Sequence, residues 1–378
     1  MLETIKDKIL GFLGGNGQPS GQQTGELPPP PPTEAEEVGF VDAEFKRRQD
    51  ERRPYELQWR LNLAFLEGNQ YLDIDTGAMD LIEQPILYDF QEREVFNHCA
   101  PNIETRIAKL KRVRPILKVK AANRDRKNLY SSRVGTQILK NADDDQQQRD
   151  RYNEELAWVE ANGTVLEKKV WNQNLGRFIG YIQDPNTGYQ KAVYEGDIET
   201  TVVPAQEFYP DSCYARDVEY LKSYIHAKAF HVDEIFETWG VRVGAEDMEV
   251  QKMVKSLTGL GGLGYGQGGF RFQSVKVKNY AIVKEYGGLP SKKYPEGRLI
   301  IVAGGKRLYS GKLPFLVGDD NKPGLPFKRL VCLERPGVFW GKSVLERLIP
   351  VQRRYNALRN RKAEYLNRCA IGQWTAEE

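Results

Sequence analysis

The order of apolar and polar positions divides this chain into a helical part, a stretch of alternation and a closing helix. Leu2, Ile5, Ile9 and Phe12 share one helical face, so residues 1–13 are expected to form a short amphipathic helix that docks on its own chain or on a partner. Residues 14–39 hold Gly, Gln and Ser and then five consecutive prolines at 28–32. That composition buries no core and predicts a disordered linker with a stiff polyproline spacer. A helix follows over 41–68, interrupted at Pro54, after which Tyr55, Trp59, Asn62, Leu63 and Leu66 fall on one face. Further helix is predicted over 102–110 and 124–162; the second is polar on most faces and carries Asp143, Asp144 and Asp145.

The period then changes. Residues 164–171, 177–183, 191–195 and 198–203 alternate or are rich in β-branched and aromatic residues, with a turn at 185–188. More strands are expected at 220–230, 275–286, 298–303, 306–309 and 327–334, with Gly304-Gly305 as a tight hairpin turn. Segments 232–239 and 246–257 read as helices with Gly240 and Gly244 as stops, and 257–269 as a glycine loop. The fold class is therefore α+β: a helical and antiparallel-β domain over 40–341, then a long helix over 342–368 and a short remainder, 369–378.

The closing helix changes the picture most. Ser343 and Glu346 form an S-x-x-E capping box, and Pro350 is expected to kink the helix that follows. From Val344 to Arg368 it would span about 37 Å. Lys342 to Arg368 hold eight Lys/Arg against two acids, while the whole chain is only +3. Val344, Val351, Leu358 and Tyr365 repeat at seven, and Leu348 and Tyr355 widen that stripe. Arg347, Arg354, Arg361 and Arg368 repeat at seven on a ridge beside it. The apolar stripe is expected to pack on neighbouring helices. The arginine ridge would face an anion, either acids of a neighbouring subunit or a backbone of regular charge such as DNA phosphate, read without sequence specificity.

Composition narrows the remaining choices. No apolar run approaches the length of a membrane span, and 28% charged residues in near balance argue for local patches over a generally nucleic-acid-coating surface. Cys99, Cys213, Cys332 and Cys369 are scattered as free thiols would be, and His98, His226 and His231 lack a zinc-ligand spacing. Gly259-Leu-Gly-Gly-Leu-Gly264 fits a dinucleotide pattern but follows a predicted helix, not a strand. Gly341-Lys342-Ser343 looks like the end of a phosphate loop, with Pro336 where its first glycine belongs. Asp75-Thr76-Gly77 is a single protease-like triplet without the second carboxylate that chemistry needs. No cofactor or metal is called for, and no catalytic residue is assigned.

Several pieces taken in order resemble the portal proteins (head–tail connectors) of tailed double-stranded DNA bacteriophages. They are Trp59 with Phe65 to Tyr71, Asn102-Ile103 with Thr105-Arg106 and Arg114-Pro115, and Ala161-Asn162-Gly163-Thr164. They continue with Val203-Pro204, with Phe208 to Asp211, and with Pro336-Gly337, Trp340 to Ser343, Leu348, Gln352 and Tyr355-Asn356. The resemblance implies a ring, usually of twelve copies, at one vertex of the phage head, through which DNA is packaged and later ejected. It implies a location in the virion, with assembly in the host cytoplasm. It implies terminase, head-completion and major capsid or scaffold proteins as partners, and neither a membrane nor an enzymatic activity. Residues 40–341 would be the wing, 342–368 the first stem helix and 369–378 the start of a clip. The family's chain continues through clip, second stem helix and crown, so this sequence reads as a fragment, an interrupted gene or one piece of a split protein. Two other readings are a virion or scaffold protein that oligomerises through the closing helix without a channel, and a phosphate-binding enzyme using Lys342 and Ser343.

Overall fold

A computed structural model describes residues 33–88, 91–113, 117–146, 148–183, 190–255, 270–317 and 322–369. The expected helix at 1–13, the polyproline spacer, the turn at 185–188, the glycine loop and the clip segment beyond Cys369 lie outside these residues. A compact unit begins at Glu34. Among the described residues it contains six α-helices, and every described strand pair is antiparallel. The fold is α+β. No helix among the described residues is long and apolar enough to cross a membrane.

Helix α1 (Glu34–Glu67) organises the unit. It starts seven residues before the expected 41, inside the segment read as linker. Its first turn is acidic, which suits the positive end of the helix dipole. Glu37 is also buried against Arg298 (2.7 Å) and Arg307 (2.9 Å), an ion pair that composition could not announce. Burial alone would raise the Glu37 carboxyl, but bonds from Arg307, Arg298 and Ser310 outweigh it and hold the carboxyl below its usual range. The helix also runs through Pro54 without the expected break. Pro54 and Asp50 both face solvent, so water can meet the carbonyl that the proline leaves unbonded, while Arg52, Leu57 and Trp59 anchor the buried side.

After the β1–β2 hairpin (Leu72–Asp75, Asp80–Glu83) come α2 (Cys99–Arg112), α3 (Arg126–Asp145) and α4 (Gln148–Asn162). The single helix expected over 124–162 is thus two; three aspartates at the carbonyl end of α3 oppose its dipole and favour a stop there. Strands β3 (Thr164–Asn172) and β6 (Asp197–Pro204) pair with each other, and β15 (Phe327–Val331) completes a three-stranded sheet in the order β15-β3-β6. Between them in sequence lies the hairpin of β4 (Phe178–Gln183) and β5 (Gln190–Tyr194).

The larger sheet has the order β12-β11-β10-β8-β7, from β7 (Phe208–Pro210), β8 (Ser223–His231), β10 (Phe270–Gly288), β11 (Arg298–Ala303) and β12 (Lys306–Gly311). Gly304 and Gly305 turn between the last two with φ of 51° and 72°, as the sequence predicts. Helix α5 (Val232–Trp239) ends at Gly240 in the left-handed region, also as expected. Segment 246–257, expected to be helical, is instead strand β9 (Glu246–Lys255), paired with the first half of β10. Met248, Val250 and Val254 lie two and four apart, a spacing open to both readings, and the waiting edge of β10 decides it. A small β13–β14 pair (Leu316–Val317, Lys322–Pro323) precedes β15, and α6 (Leu345–Cys369) closes the described chain.

The main core joins the two larger sheets through Trp59, Leu166, Phe208, Tyr224, Phe327, Phe339 and Trp340. Trp59 and Trp340 meet edge to face at 4.8 Å, and Phe208 stacks on Phe339 at 5.7 Å. Helix α1 clamps the chain before β8 with two buried arginines. Arg52 donates to the carbonyls of Ala205, Gln206 and Phe208 at 2.8–3.1 Å and lies 3.7 Å over the Tyr209 ring. Arg48 donates to Tyr209 O and to Ser223 Oγ.

One buried acid is less well matched. Burial and the nearby charge of Glu167 push the Glu155 carboxyl up to about 7, and its Oε1 has no hydrogen-bond donor among the described residues. A folded-state value above the unfolded one means the folded chain binds the proton more tightly. Stability from this site is then present at about pH 4.5 and lost as pH rises to about 7. Glu155→Gln should gain in melting temperature over the parent chain as pH is raised from 5 to 8; a pH-independent difference would reject the assignment.

Candidate functional site

Helix α6 is held at its root by a tight meeting of distant segments. Gly163, at the α4–β3 junction with φ +84°, lies so close to the 341–343 turn that a Cβ would sit 2.7 Å from Lys342 C and Ser343 N. Around it, Gly163 O accepts from Cys332 N (3.0 Å), Thr164 Oγ1 from Gly341 N (2.7 Å) and Leu333 O from Lys342 N (2.8 Å). Asn62 of α1 donates to Ala161 O at 3.0 Å, and Trp340 Nε1 to Cys213 Sγ at 3.3 Å. The segments 59–62, 161–164, 208–213 and 339–343 therefore converge on one point.

The capping box forms there as the sequence predicts. Ser343 Oγ accepts from Leu345 N at 3.0 Å, and Glu346 Oε1 accepts from Ser343 N at 3.1 Å. Ser343 Oγ also donates to Glu160 O. The N–H groups of Gly341, Lys342 and Ser343 are thus all bonded within the chain, and none is left at this turn to cradle a phosphate.

From this root α6 runs continuously through Pro350 to Cys369. Leu345 and Ile349 are buried among apolar residues of α1 and α2. Beyond them the inward face turns polar. Gln352 and Asn356 are buried, and Asn360 is only 4% exposed. Gln352 accepts from His98 N (3.2 Å) and donates to Phe96 O (2.7 Å). Asn356 accepts from Phe96 N (3.2 Å) and donates to Gln70 Oε1 (2.7 Å). Asn360 donates to Glu94 O (3.1 Å) and to the Tyr71 hydroxyl (2.6 Å), and Glu364 accepts from Glu92 N (3.0 Å). The rungs advance four residues along the helix and two along the extended segment before α2. Those steps are about 6.0 Å and 6.6 Å, close enough to stay in register over four rungs. Periodicity of apolar residues could not find this ladder; the amide spacing at 352, 356 and 360 could have.

The sequence-predicted stripe divides between two settings. Val344 and Leu348 are half-buried, and Leu348 packs against Cys99, Ile103 and Leu345. Tyr355 meets the His98 ring edge-on at 4.8 Å. Val351, Leu358 and Tyr365 are 59–66% exposed. Arg347, Arg354, Arg361 and Arg368 are all exposed on the outer side. Among the described residues Arg347, Arg354 and Arg361 have no acidic partner, whereas Arg353 turns inward to Asp73 at 3.1 Å. The ridge and the apolar residues beside it therefore face outward together.

Asp75-Thr76-Gly77 sits in the β1–β2 turn, where Asp75 Oδ1 accepts from Gly77 N at 2.8 Å, a local turn bond. An open cleft of about 830 Å³ between α2, α3 and α4 sets Lys111, Arg112 and Arg149 against Asp143 and Asp144, a mixed lining with no single ligand charge. Helix α6 is the stronger candidate. No protein-family model matches this chain, and no curated protein does either.

Two outcomes test this anatomy. Gly163→Ala should lower stability by about 2–5 kcal/mol, from left-handed strain plus overpacking. Gly240→Ala, which shares the positive φ but has open space around its Cβ position, should cost only the strain. Equal melting shifts would reject the close contact. Gln352→Leu strands His98 N and Phe96 O, so hydrogen exchange at residues 96–98 should quicken by about 5- to 150-fold, the equivalent of 1–3 kcal/mol.

Proposed function

We propose that this chain is a portal-type structural subunit that forms a ring around a channel for phage double-stranded DNA, with α6 as its first stem helix and no catalytic activity of its own. One observation carries the reading. The sequence pieces that resemble portal proteins are scattered over 59–71, 102–106, 161–164, 203–211 and 336–356, with Arg114-Pro115 outside the described residues, yet those described converge on the root and inner face of a single helix. They serve to hold α6 in one orientation, with its basic ridge outward. A ring subunit needs such a rigidly mounted helix; a loosely attached solvated helix would not.

The arginine ridge suits either a neighbour's acids or the phosphate backbone. Its charges recur about every 10.5 Å with a drift of about 20° per repeat. The packaging energy would come from a terminase partner, and head-completion and capsid or scaffold proteins would be the other contacts. The competing reading, a virion protein that oligomerises through α6 without a channel, shares the helix but not the hole.

Negative-stain microscopy of the purified chain separates the two, and a closed ring with a central opening is the expected image. For DNA, Arg354→Gln with Arg361→Gln should weaken retention and flatten the salt dependence by up to about 2 in the log–log slope per subunit engaged. An unchanged slope would remove the ridge from the channel.

A further inference from the structure

Among the described residues the β4–β5 hairpin carries a dense set of exposed apolar side chains: Phe178, Ile179, Tyr181, Ile182 and Tyr194. A bulge at Ile179 places Phe178, Tyr181 and Tyr194 together on one face, with ring centroids 5.1 and 5.7 Å from Phe178. Ile182 lies on the opposite face. Tyr181 is 67% exposed, Ile182 61% and Trp171, at the base, 62%. A two-stranded ribbon is marginal in water by itself, and one apolar on both faces invites a cover.

We propose that this hairpin docks on the outer face of α6 of a second copy of the same chain. Three properties favour that occupant. The lengths agree: Val351 to Tyr365 spans about 21 Å of helix, and the six residues of β4 span about 20 Å. The apolar content agrees, since Val351, Leu358 and Tyr365 are exposed on α6. The charges are opposite. The described residues of 171–199 hold Glu195, Asp197 and Glu199 against Arg177 and Lys191, a net −1, and α6 is +5. Glu195 and Asp197 have no cationic partner among the described residues, as Arg354 and Arg361 have no acidic one. Helix α3 also exposes apolar residues, but its four bases are nearly cancelled by three aspartates.

Hairpin and helix are different patches of one chain, so the contact is head-to-tail, the kind that closes into rings when the rotation allows. The contact stands on the complementary surfaces; only its closure into a ring rests on the portal reading.

Two chains with one introduced cysteine each test it, Tyr181→Cys and Leu358→Cys, each also carrying Cys369→Ser to remove the exposed native thiol; Cys99, Cys213 and Cys332 are buried or half-buried. Both positions are exposed, so folding is preserved. Mild oxidation of the mixture should give a cross-linked pair of unlike chains, and neither chain alone, nor Cys369→Ser alone, should cross-link. Arg354→Glu with Arg361→Glu should abolish the cross-link, and adding Glu195→Lys with Asp197→Lys to the hairpin chain should restore it. Cross-links between like chains, or none, would overturn the docking. Microscopy keeps the two ideas apart. Rings without the unlike-chain cross-link leave the portal reading and end this inference. Cross-linked open filaments keep the inference and end the ring.

Discussion

Everything at the base of α6 depends on how closely two glycines let three backbones approach. Gly163 has no room for a Cβ against the 341–343 turn, and Gly341 has none against Val331. That closeness lets Gly163 O, Thr164 Oγ1 and Leu333 O reach their donors at 2.7–3.0 Å. The same point receives Asn62 from α1 and Trp340 from the turn, so the first helix, the three-stranded sheet and the last helix share one joint. Buried backbone groups that must all be paired make such a joint cooperative, because loosening one segment orphans donors on the others.

The two faces of α6 obey different physics. Its inner face begins as packed leucine and isoleucine and ends as hydrogen-bonded amides. Apolar packing is tolerant of small shifts; a buried amide is not, because a displaced donor costs its full desolvation. The helix is therefore fixed in rotation as well as in place, and the outward direction of Arg347, Arg354 and Arg361 follows from the inward bonds of Gln352, Asn356 and Asn360. The orientation of the charged ridge is set from behind.

Local chemistry was legible in the sequence where one residue type has one physical use. The Gly304-Gly305 turn, the Gly240 stop and the Ser343–Glu346 capping box all appear as read. Tertiary partners overrode local signals elsewhere. The acids at 34–37 looked like linker until Arg298 and Arg307 supplied their counter-charges. Pro54 looked like a break until its position on the solvent side made the lost bond tolerable. Segment 246–255 became a strand because β10 offers an edge. On α6 the outward ridge was visible as charge periodicity, while the ladder stayed hidden because amides and an extended segment leave no hydrophobic signature.

That ladder also has a mechanical meaning. Its four rungs lie side by side along the helix axis, so a pull along α6 would load them together, in shear, instead of peeling them one after another. Slip by a fraction of a turn breaks every rung and makes none, so the helix has no shallow intermediate position. It could only hold or jump by about one turn, which would make α6 a stiff strut with discrete seats.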